Sequence, residues 1–158
     1  MLTFQRTNSE NIVFLSLVKE LDADLAVRDG KDREFYNQFN KLGSIKHVIV
    51  AYENENSVGC GAIKKFSADT MEVKRMFVPL DLRGKGIASL VLNELEKWAI
   101  ELGYSKCILE TGKRQPEAIA LYQKNGYVQI PNYGQYVGIE NSVCFIKELQ
   151  VKQYDENS

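Results

Sequence analysis

Val73-Lys74-Arg75-Met76-Phe77-Val78-Pro79-Leu80-Asp81-Leu82-Arg83-Gly84-Lys85-Gly86-Ile87-Ala88 is an apolar strand that stops at a proline and resumes as a glycine-rich entrance to a helix. A strand feeding such a turn leaves several backbone N–H groups without intrahelical partners, and the positive end of the helix dipole adds to their preference for an anion. Arg83 and Lys85 lie within the turn, and Gly84 and Gly86 let the backbone approach a ligand closely. The stretch reads as a phosphate cradle.

Working outward, the residues before the turn form a meander. His47 to Tyr52 is a continuous apolar run, Asn54-Glu55-Asn56 is a turn signal, and Ser57 to Phe66 is the next strand. Ser67-Ala68-Asp69 turns the chain again into Thr70 to Val78. Upstream, Leu2 to Arg6 is a short strand, and Asn8 or Ser9 offers an N-cap to a helix with Phe14, Leu15, Val18, Leu21 and Leu25 on one face, closed by Asp29-Gly30. A weaker helix is expected over Asp32 to Phe39, with Tyr36 and Phe39 as a packing pair.

Downstream of Gly86 the period becomes helical, with Ile87, Val91, Leu95, Trp98 and Leu102 as a stripe ending at Gly103. Lys106 to Glu110 follows as a strand, so strand, helix and strand predict one parallel pair between Thr70–Val78 and Lys106–Glu110. Gln115-Pro116-Glu117 opens a further helix closed by Asn125-Gly126, and two last strands near Tyr127–Ile130 and Val143–Leu149 flank the loop Pro131 to Asn141. The predicted class is α+β, with a mixed sheet made of an antiparallel meander and one parallel crossover, flanked by helices. Residues 1–150 are expected to form one domain, and 151–158 a polar tail.

The 158 residues carry a net charge of −1, which gives no overall pull toward nucleic acid or an anionic membrane surface. No apolar run approaches the roughly 20 residues that span a bilayer, and the N-terminus lacks a signal-peptide core, so a cytoplasmic location is expected. Cys60, Cys107 and Cys144 are far apart and read as buried thiols of a reducing compartment. The lone histidine, His47, opens an apolar run, which weighs against a Cys/His catalytic pair and against a zinc site.

From these residues alone the glycine turn stays open to several readings. A P-loop fails because GxxxxGK[ST] is absent. A dinucleotide fingerprint has Gly84-Lys85-Gly86 and the strand-end Glu110 in its favour, against Ser89 where a third glycine belongs. A turn with no ligand is the remaining alternative.

Two motifs carry a resemblance. Arg83-Gly84-Lys85-Gly86-Ile87-Ala88 fits R/Q-x-x-G-x-G/A, and Ala120-Leu121-Tyr122-Gln123-Lys124-Asn125-Gly126-Tyr127 is similar to L-Y-x-x-x-G-F/Y. In this order, with a helix and a strand between them, they resemble the GNAT superfamily of acyl-CoA-dependent N-acyltransferases over about residues 2–149. The runs Glu110 to Ala118 and Pro131-Asn132-Tyr133-Gly134 to Ser142-Val143-Cys144 look like a bacterial subgroup of small GNAT enzymes. One departure is Gln115, where many relatives place an asparagine that contacts the cofactor.

The resemblance implies acetyl-CoA as cosubstrate, with the N–H groups of Arg83, Gly84, Lys85, Gly86, Ile87 and Ala88 on its pyrophosphate. It also implies a splayed strand whose backbone at Met76, Phe77 and Val78 takes the pantetheine as an added strand. Tyr122 then stands as proton donor to the leaving thiolate and Glu72 as base for the incoming amine, which would otherwise arrive protonated. Tyr133, Tyr136 and the region from Arg28-Asp29-Gly30 to Tyr36 are candidates for the acceptor pocket. Lys113, Arg114 and Lys124 lie where a 3′-phosphate would be met, with solvated helix-end charges as the alternative. The expected function is direct acetyl transfer to the amine of a small molecule by a chain without metal, nucleic-acid or membrane partners, and relatives of this kind are often homodimers. The alternatives are a non-catalytic acyl-CoA-binding module on the same fold and a dinucleotide oxidoreductase.

Overall fold

The computed structural model describes residues 1–29 and 45–150; the helix expected over Asp32–Phe39, together with Gly30, Tyr36 and the tail, lies outside the described residues. The described elements are β1 (Leu2–Thr7), α1 (Ile12–Asp29), β2 (His47–Glu53), β3 (Asn56–Lys65), β4 (Thr70–Phe77), α2 (Ile87–Glu101), β5 (Lys106–Gly112), α3 (Pro116–Lys124), β6 (Val128–Ile130) and β7 (Ser142–Glu148). The strands form one sheet in the order β1-β2-β3-β4-β5-β7-β6. Among the described strands only β4 and β5 run parallel, as the strand, helix, strand order requires. The mixed α+β sheet expected from the sequence is the sheet observed.

Each face of the sheet has its own apolar layer. Phe14, Leu17, Val18 and Leu21 of α1 pack on Val48, Val50, Cys60, Ala62 and Phe77. Ile87, Val91, Leu92 and Leu95 of α2 pack on the opposite face against Ile49, Ile63, Met71 and Val73, where Tyr122 of α3 and Phe145 extend the layer. The alternation in β4 therefore sends Met71 and Val73 toward α2, and Glu72 and Lys74 toward the α1 side.

Three local expectations are corrected. The cap of α1 is Asn11, whose side-chain oxygen accepts from the Phe14 N–H at 2.9 Å; Asn8 instead closes the turn before it by accepting from the Glu10 N–H. Leu15 is 40% exposed and Leu17 is buried, because the buried face keeps the i, i+3, i+4, i+7 spacing from Phe14. Leu102 is the C-cap of α2 and is exposed, and the buried stripe Val91, Leu95 ends at Ala99.

A polar tie crosses the α2 layer. Glu96, buried in α2, accepts from the Tyr127 hydroxyl at 2.8 Å and from the Lys147 ammonium at 2.8 Å, joining α2 to β7 and to the residue that leads into β6. Removing the carboxylate strands a cation and a phenol in the interior. Glu96→Ala is expected to lower stability by about 3 kcal/mol, read as a lower urea midpoint with an unchanged slope.

Candidate active site

β4 and β5 stay paired for three residues only. The parallel register runs Thr70↔Lys106, Met71↔Cys107 and Glu72↔Ile108 and stops there. β5 continues to Gly112 fully laddered to β7, so it follows β7 and leaves β4. β4 turns the other way because its register against β3 slips, with Cys60 facing Phe77 but Ala62 facing Lys74, so Arg75 and Met76 share the place opposite Gly61.

Arg75 absorbs that bulge with a left-handed φ of 59°. Its guanidinium, almost fully buried, pairs with Asp22 of α1 at 2.7 Å, and the Cys60 thiol donates to its carbonyl. Gly61 lies opposite it, and a Cβ there would stand 2.5 Å from Met76 Sδ and 2.8 Å from Leu95 Cδ1, so a larger residue would require both side chains to move. Helix α2 thus packs closely over the strand opposite the bulge, with Leu95 and Val91 against Gly61.

The parted strands enclose a cleft of about 440 Å³. Met76, Phe77 and Val78 form one wall, with no strand partner for β4 on this side beyond Glu72. The turn closes one end: Leu80–Leu82 is a single 3-10 turn, and Gly84 and Gly86 both take φ 83° with open space around them. Gly86 is the N-cap of α2 and offers no side chain to the first-turn N–H groups.

Arg83 does not point along the cradle. Its Nε donates to the Val78 carbonyl at 2.8 Å, its plane lies over Phe77, and Asp24 of α1 is 3.7 Å away. It braces the turn against the end of β4. Lys85 is exposed and is not part of the cleft wall, so the cradle's contribution is its backbone.

Helix α3 forms the opposite wall. Tyr122 is buried against Tyr127 and Phe145, yet borders the cleft. Desolvation first, and then the charge of Glu110, push its phenol well above the usual range, so it stays protonated throughout the neutral region. Gln115 borders the cleft as the N-cap position of α3. Asn125 at the other end of α3 donates to Ser89 in the first turn of α2 at 3.0 Å, which ties the two motifs to each other. Arg28 bridges the mouth, donating to Asp24 on its own helix at 3.3 Å and to Glu117 of α3.

On the α1 side the cleft opens into a charged recess. Glu72 Oε2 accepts from the Tyr133 hydroxyl at 2.6 Å, and Lys74 Nζ lies 3.6 Å from Oε1. Burial, then the charge of Glu72, drive the Tyr133 phenol far up. Glu110 stands across the gap on β5, with Ser142 donating to it at 2.7 Å. Tyr136 borders this recess, whereas Tyr133 stands behind Glu72, edge-on to Phe66 and Tyr136.

The structure therefore brings Glu72, Met76 to Val78, the glycine turn and Tyr122 around one cleft. Lys113 and Arg114 are not part of its wall, and Lys124 is. Lys74 and Arg75 escaped the sequence reading as site residues, and Glu110 entered it only as the acidic residue of a dinucleotide fingerprint. The signal for Glu110 was present in the inward pair Cys107 and Leu109, which puts Glu110 on the other face of β5 with Ile108. Nothing in the sequence marks the bulge that buries Arg75.

The sequence profile of the acetyltransferase (GNAT) family matches residues 15–127. The chain belongs to the GNAT acetyltransferase family. It is 41% identical over 92 residues to the IAA acetyltransferase of Azospirillum brasilense, an alignment covering 56% of this chain and 58% of that protein. It is 35% identical over 113 residues to the uncharacterized Escherichia coli N-acetyltransferase YjgM, covering 69% and 66% of the two. Among solved structures, an acyl-CoA N-acyltransferase assignment from Klebsiella pneumoniae superposes with TM-score 0.79 at 26% identity, over 95% of this chain and 99% of the other. A GNAT acetyltransferase from Elizabethkingia anophelis with acetyl-CoA bound has the same fold, with TM-score 0.67 at 19% identity over 94% and 98%. Among the described residues of this GNAT chain, no helix is long and apolar enough to cross a membrane.

The three cysteines are fully buried. Burial is the main cause that pushes the Cys60 and Cys107 thiols up to about 12 and Cys144 up to about 11. None is a thiolate near neutrality, which removes the nucleophile that a covalent acyl-cysteine route needs. With iodoacetamide at pH 8, all three are expected to resist alkylation until the chain is denatured, as counted by mass. The raised values also carry a pH dependence: the unfolded thiols ionise around 9.0, the folded ones only near 11 to 12. Their contribution to stability is complete below pH 9 and declines above it, so the urea midpoint should fall between pH 8 and pH 10.

Proposed function

We propose that this GNAT chain is an N-acetyltransferase that moves the acetyl group of acetyl-CoA directly to the amine of a small acceptor. The observation that carries the reading is the open edge of β4 leading straight into an uncapped, twice left-handed glycine turn. An amide-bearing arm ending in a pyrophosphate matches that sequence of unpaired strand groups and helix N–H groups. Met76, Phe77 and Val78 would hold the arm, and the main chain from Arg83 to Ala88, with Gly84, Lys85, Gly86 and Ile87 between, would hold the phosphates. Bound there, acetyl-CoA supplies an activated thioester acyl group.

The chain's own residues then divide the work. The cleft holds amine and thioester in one orientation, which is the larger part of catalysis for such a transfer. Glu72, fixed by the Tyr133 hydroxyl, takes the proton that the amine must lose. Tyr122 keeps its proton at neutral pH and donates a hydrogen bond to the departing sulfur. Its raised pKa makes it a stronger holder of the proton than a thiol near 8.5, so its contribution is charge stabilisation more than complete proton transfer.

The deciding experiment mixes the protein with acetyl-CoA and a panel of amines while free thiol and product mass are followed. Acceptor-dependent thiol release supports the enzyme; binding of acetyl-CoA with no release across the panel leaves a non-catalytic binding module. Tyr122→Phe should lower kcat by about 10²-fold with little change in acetyl-CoA affinity, and an unchanged kcat removes the hydroxyl from the reaction. Glu72→Gln should slow turnover at pH 7 by about 10²-fold, and the defect should shrink toward pH 10, where more of the amine arrives neutral. A defect independent of pH would make Glu72 a positioning group.

A further inference from the structure

We infer that the acceptor is an amino-acid-like zwitterion, whose amino group faces Glu72 and Glu110 and whose carboxylate is received by Lys74. The inference rests on the acetyltransferase reading above and adds to it a substrate class.

Glu72 and Lys74 are neighbours on one face of β4, the face turned to the α1 side, because Met71 and Val73 occupy the core on the other. Both border the cleft, and both are largely buried, with side chains 12% and 15% exposed. The Lys74 ammonium lies 3.6 Å from Glu72, close enough for attraction and too far for a hydrogen bond. Among the described residues no acceptor lies within bonding distance of it. Among the described residues no fully buried side-chain nitrogen or oxygen lacks a partner, so the three donors of this ammonium are turned to the water of the cleft, where a ligand anion can take its place. Arg75 beside it does not share this state, since its guanidinium is paired with Asp22 at 2.7 Å.

The surrounding charges narrow what can fill those donors. Glu72 accepts from the Tyr133 hydroxyl and Glu110 from the Ser142 hydroxyl, and both carboxylates border the cleft as negative charges. An acceptor with an ammonium alone meets these carboxylates but also the like charge of Lys74. A phosphate dianion would meet Lys74 but would be repelled by both glutamates. One positive and one negative group, set as far apart as in an α-amino acid, meet Glu72 and Lys74 in the order in which β4 presents them.

The test measures kcat/KM at saturating acetyl-CoA for the common amino acids, each against its own carboxamide, in the wild type, Lys74→Met and Lys74→Arg. The wild type is expected to turn over at least one amino acid faster than its carboxamide. Lys74→Met should cut that carboxylate-to-carboxamide ratio by about tenfold or more, and Lys74→Arg should retain most of it. Comparing the ratio between variants cancels the different basicities of the two amines. A ratio unchanged in Lys74→Met, or both substrates slowed alike, would assign Lys74 to the electrostatics of Glu72 and overturn the inference while leaving the acetyltransferase reading intact. Turnover of carboxyl-free amines only would do the same. Absence of thiol release with every amine overturns both.

Discussion

The parting of β4 from β5 after Glu72 and Ile108 is the constraint from which the rest of the site follows. Two independent causes enforce it. β5 is paired along its whole length with β7, and β4 is twisted by the bulge at Arg75. Either alone would bend one strand; together they open a gap in the middle of the sheet, where a backbone edge is otherwise always paired. The walls that border the gap, the glycine turn at its end and the recess on the α1 side are all positioned relative to these two strands.

The bulge has a cost that is met by named contacts. A non-glycine residue at positive φ is strained by about 1–2 kcal/mol, and a buried guanidinium requires a partner. Asp22 supplies the partner, and the close seating of α2 over Gly61 fixes the backbone beneath. The distortion that creates the binding edge is thus held from both faces, by α1 through an ion pair and by α2 through packing. Arg83, lodged against Val78 and Phe77, continues that support into the turn.

The sheet's order, its single parallel pair and its helices were legible because they depend on periodicity, turn residues and chain order. The glycine turn was legible because positive φ at Gly84 and Gly86 leaves a mark in composition. Caps and faces were less so: Asn8, Ser9 and Asn11 are chemically equivalent candidates, and the choice of Asn11 follows from where Phe14 meets the sheet. The direction of Arg83 and the exposure of Lys85 were not legible, since a basic residue in a turn can face the ligand, the protein or water. Glu110, Lys74 and Arg75 became site residues only through the splay, a relation between strands that no local window contains.

The insertion of β7 between β5 and β6 also has a consequence for synthesis on the ribosome. A nascent chain that has emerged through β6 contains both motifs, the glycine turn and Tyr122, but its β5 has no neighbour on the outer side. At that stage the bulge in β4 can already form, but the ladder to β7 that holds β5 on the far side of the groove cannot. The last described strand to be translated is the one that completes the outer side of the groove, so in chain order the cleft is finished after both of its motifs have been made.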